Sequence, residues 1–240
     1  MEEENVFLPL SNDIMFKRFF GSEDYVFLTT MLVESLFNLP RHSLDGSVIT
    51  NSVKLDRETV YSKSFELDVL LTTLNGDVYL LEMQPIYNSN AEIKNVMYAC
   101  KVFGGELKSG GLYKDANKVT LINFSKEIYL HKTDQIISKY VMTNVEDIRD
   151  KMLEEKLSIL IVDIDSKNDK TYNEISNGFK LMRELLGAQT IEEIEIAIKN
   201  LNEPLLSNLL KDMVVFMEMD YVQDYSAQEK LIRSNLQDAK

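Results

Sequence analysis

A mixed α/β domain closed by a run of helices is the architecture that this 240-residue sequence predicts. Three observations predict it. Two apolar runs flank the Asn75-Gly76 pair, a strong hairpin signal. Beyond Pro85 apolar residues recur at three and four, the period of an amphipathic helix, ahead of the short apolar run KVTLINF. From Asn173 onward the pattern is helical throughout.

In chain order, SNDIMFKRFF (Ser11 to Phe20) reads as a helix capped by Ser11 or Asn12 and ended near Gly21. YVFLTTMLVESLF follows as a longer helix, with Phe27, Met31, Glu34 and Leu36 near helical spacing, and Asn38-Leu39-Pro40 stops it. SVITNSVKL is the first strand, and FELDVLLTTLNGDVYLLEMQ, Phe65 to Gln84, the hairpin. The next helix carries Ile93, Val96, Met97, Cys100 and Phe103 as its apolar stripe and closes at Gly110-Gly111; Cys100 reads as a buried small hydrophobe. KVTLINF is a central strand. QIISKYVMTN is strand or helix, EDIRDKMLEE helix, and KLSILIVDI strand. ISNGFKLMRELLGA, IEEIEIAIKNL and EPLLSNLLKDMVVFMEM are helices, with SAQEKLIRSNL lying over the rest. This divides the chain into a core over 1–166 and a C-terminal helical region, 167–240, packed on or extending from it.

Composition narrows the function classes. One cysteine leaves no internal disulfide and suits a reducing cytosol. The N-terminus is acidic, without a signal-peptide pattern, and no run approaches the roughly 18 apolar residues of a membrane span. A soluble cytoplasmic protein is expected. His42 and His131 stand far apart and support no zinc site, and the glycine pairs lack the setting of a nucleotide loop. The net charge of −13 disfavours loose attraction to phosphates. It is spread along the chain, with 12 Lys/Arg against 18 Asp/Glu up to Leu130 and 14 against 21 beyond.

The hairpin poses the chemical question, because Glu66, Asp68 and Glu82 stand among residues suited to burial. A two-residue turn would put Asp68 and Glu82 on opposite sides. A three-residue loop, Leu74-Asn75-Gly76, with Gly76 left-handed in a bulge, pairs Thr73 with Asp77 instead. Asp68 then faces Glu82, and Glu66 faces Gln84. That register leaves one face almost wholly apolar (Phe65, Leu67, Val69, Leu71, Tyr79, Leu81, Met83), whereas the other register mixes acids into both faces. Opposed carboxylates lie about 5 Å apart at Cβ and repel unless a cation sits between them. Mg²⁺ takes oxygen ligands, often only one or two carboxylates, and stabilises charge on phosphorus. Glu82 and Gln84, two apart on a strand, project to one side. The plain alternative is a hairpin end with solvated acids, and the apolar flanks weigh against so free an edge.

Asp68 followed by Glu82-Met83-Gln84 after a hairpin resembles the PD-(D/E)XK nuclease core. With SNDIMFKRFFG, the helix containing Val96-Met97-Tyr98 and the Gly110-to-Tyr113 turn before KVTLINF, the chain is similar to the PD-(D/E)XK family transposases, or recombination-promoting nucleases, over roughly Leu8 to Asp165. The resemblance implies a restriction-endonuclease-like core, with a mixed central sheet flanked by helices. It implies a Mg²⁺- or Mn²⁺-dependent DNA endonuclease in recombination, mobile-element or DNA-defence processes, with Asp68 and Glu82 as metal ligands. Gln84 stands where the superfamily has lysine and would orient water. The competing expectation is an inactive nuclease fold that binds DNA or protein. The acidic balance adds the expectation of weak DNA binding without metal and of a homodimer or partner that helps grip the duplex.

Six further residues carry weaker expectations. Glu34, where the family pattern has a neutral residue, is an extra metal-side carboxylate or a helix surface residue. Glu66 reads as a rim residue. Asp13 is a first-turn acid favoured by the helix dipole, and the opening motif also suits a supporting role near the site. Lys17 and Arg18 read as charges on a solvated helix face, with contact to DNA phosphates as the alternative, and Tyr98 as core in preference to a phosphate contact.

Overall fold

The computed structural model describes residues 7–55, 65–84, 86–106, 111–128, 135–152, 156–165, 172–219 and 222. Its strands are β1 (Val48–Leu55), β2 (Phe65–Thr72), β3 (Val78–Met83), β4 (Ile86–Tyr87), β5 (Val119–Ser125), β6 (Glu127–Ile128), β7 (Ile137–Tyr140), β8 (Met142–Thr143), β9 (Lys151–Met152) and β10 (Leu157–Asp163). Its helices are α1 (Asp13–Phe20), α2 (Val26–Leu36), α3 (Ser89–Gly105), α4 (Asn177–Gly187), α5 (Ile191–Leu201) and α6 (Leu209–Met217). Six strands form one mixed sheet in the order β1-β2-β3-β5-β10-β7. β3, β5 and β10 are mutually parallel, and the remaining pairs are antiparallel. A parallel neighbour requires a crossover, and α3 supplies it between β3 and β5.

Alternation along the central strands creates two faces. Val69, Leu71, Tyr79, Leu81, Met83, Ile122, Phe124, Leu160 and Val162 pack under α1, α2 and the C-terminal helices, whose Phe16, Leu32, Met182, Ile194 and Met213 join the same core. Val78, Leu80, Val119 and Leu121 face Tyr98, Ala99 and Val102 of α3. β3 and β5 are buried along their whole length, as a layer covered on both sides demands.

The hairpin has the three-residue loop. Val69 lies opposite Leu81 and Thr72 opposite Val78. The Thr73 N–H donates to the Asp77 carbonyl at 2.9 Å, and Gly76 has φ +89°. A Cβ on Gly76 would stand 2.8–2.9 Å from the Asn117 amide. Gly76→Ala therefore combines a left-handed backbone with a clash, and we expect a loss of roughly 1–3 kcal/mol in urea unfolding. A loss under about 0.5 kcal/mol, the level of a neutral surface change, would show that the loop relaxes freely.

Several local expectations are corrected. EDIRDKMLEE is not helical where it is described: Asn144 and Asp147 accept hydrogen bonds from the backbone N–H groups of Glu146 and Arg149, forming a turn between β8 and β9. Such local side-chain bonds compete with a helix ladder. QIISKYVMTN supplies strands β7 and β8. α3 ends at Gly105, before Gly110-Gly111. It buries Ala91, Asn95, Tyr98, Ala99 and Val102, whereas Ile93, Val96, Met97 and Cys100 are exposed. Small residues let the helix lie close on the sheet, and Asn95 has a buried polar partner there, so the inward face is not the most apolar one. SAQEKLIRSNL lies outside the described residues.

Candidate active site

Asp68 and Glu82 stand where the hairpin strands part. The ladder between β2 and β3 extends as far as Val69 and Leu81, and the two acids take over from the backbone beyond it. The Asp68 N–H donates to Glu82 Oε1 at 3.2 Å, and the Met83 N–H donates to Asp68 Oδ2 at 3.0 Å. Each carboxylate thus ties one oxygen to the opposite strand. Leu67, expected beside Val69, instead joins the α3-side core.

The outer oxygens face cations. Lys17 Nζ of α1 lies 3.2 Å from Asp68 Oδ1 and 3.1 Å from Asp13 Oδ2. Lys94 Nζ of α3 lies 2.6 Å from Glu82 Oε2 and 5.0 Å from the centre of the Tyr98 ring. The acids therefore occupy the seam where helices from both faces of the sheet meet. Both are almost completely buried, at 4% and 1% exposure. Burial, then the neighbouring Asp68 charge, pushes the Glu82 carboxyl up to about 7 against the pull of Lys94. Burial likewise raises Asp68, opposed chiefly by Lys17. Lys94 is raised, because attraction to Glu82 and then Asp68 outweighs its own desolvation. These shifts mark strained acids held in a dry place, the condition that active sites exploit.

Gln84 follows β3, half-buried, and its N–H donates to the Phe124 carbonyl at 2.8 Å, which carries the parallel ladder past Met83. Asn123 of β5 pairs with Glu82 in register. Its amide donates to Asn95 Oδ1 at 3.3 Å and accepts from the Ser125 hydroxyl at 2.7 Å, a buried polar chain beside the acids. Lys94, Asn95 and Asn123 were not singled out in the sequence. Asn123 inside VTLINFS was the legible signal, since an amide in a buried strand needs a partner.

Other expectations fall differently. Lys17 is not on a solvated face, because its ammonium is held between Asp68 and Asp13. Asp13 borders the site through that lysine. Glu34 is not a surface residue: it is buried and its Oε1 accepts the Leu44 N–H at 2.9 Å. Tyr98 is core, as expected. The Glu66 side chain lies outside what is described.

Among the described residues no three His, Cys, Asp or Glu side chains gather into a metal-holding group. Two carboxylates are what the site offers, a number that Mg²⁺ accepts when water and phosphate complete its shell. The donor set fits such an ion: the oxygens are hard, and two of them already face ammonium groups.

The mixed six-stranded sheet with flanking helices is the α/β fold of the restriction-endonuclease-like PD-(D/E)XK proteins. The chain belongs to the PD-(D/E)XK nuclease family transposases, whose family model matches residues 10–238. The match extends beyond the motifs read in the sequence and takes in the C-terminal helices. Comparison with curated proteins and with solved structures gave no match. Membership gives the protein a nuclease- or transposase-related function, and no helix among the described residues is long and apolar enough to cross a membrane.

Proposed function

We propose that the protein is a DNA endonuclease that hydrolyses phosphodiester bonds with a divalent cation, Mg²⁺ or Mn²⁺, held by Asp68 and Glu82. The observation that carries this reading is the reciprocal bonding of the two acids. Each spends one oxygen on the opposite strand and keeps the other for a cation. A hydrolase acting on a phosphodiester must gather positive charge around the phosphoryl oxygens, and a bound divalent cation supplies that as a Lewis acid. Gln84 has an amide oxygen that can accept from a water and direct its lone pair at phosphorus, and no ionisable proton to give. The hairpin fixes Asp68 and Glu82 on two hydrogen-bonded strands, so the acids need little reorganisation when charge develops. In the cell the substrate would be met in recombination, mobile-element or defence processes, in the cytoplasm, by a homodimer or with a partner that adds to the grip on the duplex.

The test is nicking of supercoiled plasmid by purified protein in Mg²⁺, Mn²⁺ or EDTA. Nicking is expected with either metal and absent in EDTA. Asp68→Ala should lower the rate by about 10³-fold, since a Lewis-acid contribution of several kcal/mol is lost. Equal nicking by wild type and Asp68→Ala would locate the activity elsewhere.

A further inference from the structure

We infer that Lys17 and Lys94 are built-in counter-ions of the two carboxylates, exchanged for the divalent cation and then turned to the DNA phosphate. The inference rests on the metal site proposed above and adds how that site is controlled.

Each lysine occupies the oxygen that a metal would need, Asp68 Oδ1 for Lys17 and Glu82 Oε2 for Lys94. Each comes from a different helix, and each side chain keeps about a third or a quarter of its surface in solvent, so a path outward exists. Each also has a second seat in the structure. Lys17 is already bonded to Asp13, whose side chain is 36% exposed, and Lys94 lies over the Tyr98 ring. A cation on an aromatic face is held by the ring quadrupole. Eviction therefore moves each ammonium to a waiting partner instead of stranding it.

The charges make the exchange directional. Asp13, Asp68 and Glu82 against Lys17 and Lys94 leave the metal-free site with one net negative charge. A divalent cation reverses that to one net positive charge, the complement of a phosphodiester. This resolves how a chain of net charge −13 can hold DNA: the metal-free site repels it, and the loaded site presents two released ammonium groups as well as the ion.

The experiment is calorimetric titration of Mn²⁺ into the full chain without DNA, above the pH at which Glu82 ionises. Lys17→Gln and Lys94→Gln each keep a hydrogen-bond donor and remove the competing charge. Each is expected to bind Mn²⁺ about five- to tenfold more tightly than wild type, at the low end of ordinary coupling between sites. The same variants should bind a labelled duplex in Ca²⁺ at least about fivefold more weakly. Circular dichroism checks that both are folded. Unchanged or weaker Mn²⁺ affinity in both variants overturns the inference even where wild type binds the ion through Asp68 and Glu82. Mn²⁺ binding that survives both Asp68→Asn and Glu82→Gln overturns the metal site itself, and the inference with it.

Discussion

Glu82→Gln is expected to abolish nicking and, in EDTA, to leave the protein more stable than wild type. The first half follows from losing an anionic ligand. The second follows from where the carboxylate sits. Glu82 is 1% exposed, and its carboxyl is pushed up to about 7 from an ordinary 4.5 by burial first and Asp68 second. A carboxyl whose folded pKa exceeds its unfolded one binds more protons folded than unfolded between those two values, so stability falls as pH rises through that window. The shift already contains the help that Lys94 gives. Above neutral pH the penalty is on the order of 1–3 kcal/mol. Glutamine keeps an oxygen for the Asp68 N–H and releases Lys94 to the Tyr98 ring and solvent. The gap between variant and wild type should thus open between about pH 4.5 and 7 and stay level above that. Urea unfolding across that range measures it. A variant less stable than wild type at pH 8 would mean that the Lys94 pair contributes more than burial costs, and that the site is not strained.

How much of this was legible depends on whether the information was local. The hairpin register was legible, because a one-residue slip would have carried Asp68 and Glu82 to opposite faces and broken the apolar set. Capping of α1 by Asn12 was legible for the same local reason. The partners of the acids were not. Lys94 and Lys17 reach them from helices on opposite faces of the sheet, and no spacing in the sequence encodes which helix crosses which strand.

The inward face of α3 shows the limit most sharply. Periodicity selects the most apolar stripe, yet α3 turns Ala91, Asn95, Ala99 and Val102 inward with Tyr98. That orientation sets Lys94 beside Glu82 and Asn95 beside Asn123. It also leaves Cys100 exposed. The rotation brings small residues and the site's polar contacts to the sheet, against the helix's hydrophobic pattern. In EDIRDKMLEE, likewise, Asn144 and Asp147 satisfy backbone N–H groups locally, and the helical tendency of the remaining residues is overruled.

The largest loss of stability is expected from Phe16→Ala. Phe16 is fully buried and stacks on Phe20 at 4.7 Å between centroids, with Phe124 at 6.0 Å. Phe124 pairs with Met83 in the parallel ladder, and its carbonyl accepts the Gln84 N–H. This aromatic group is therefore the floor that joins α1, which carries Asp13 and Lys17, to the strand end that carries Glu82 and Gln84. Truncating a buried phenylalanine costs about 3–5 kcal/mol, lost transfer energy plus the cavity left behind. In a domain of this size that lowers the melting temperature by about 10 °C. Phe16→Leu, which refills most of the volume, should cost about 1–2 kcal/mol. Because α1 loses its seat on β5, Lys17 should also lose its register on Asp68, and Mn²⁺ affinity in the folded alanine variant should shift, whereas Phe179→Ala, in the same core but on α4, should destabilise without moving it. Equal effects of the two truncations on Mn²⁺ affinity would show that α1 does not hold Lys17 in place through Phe16.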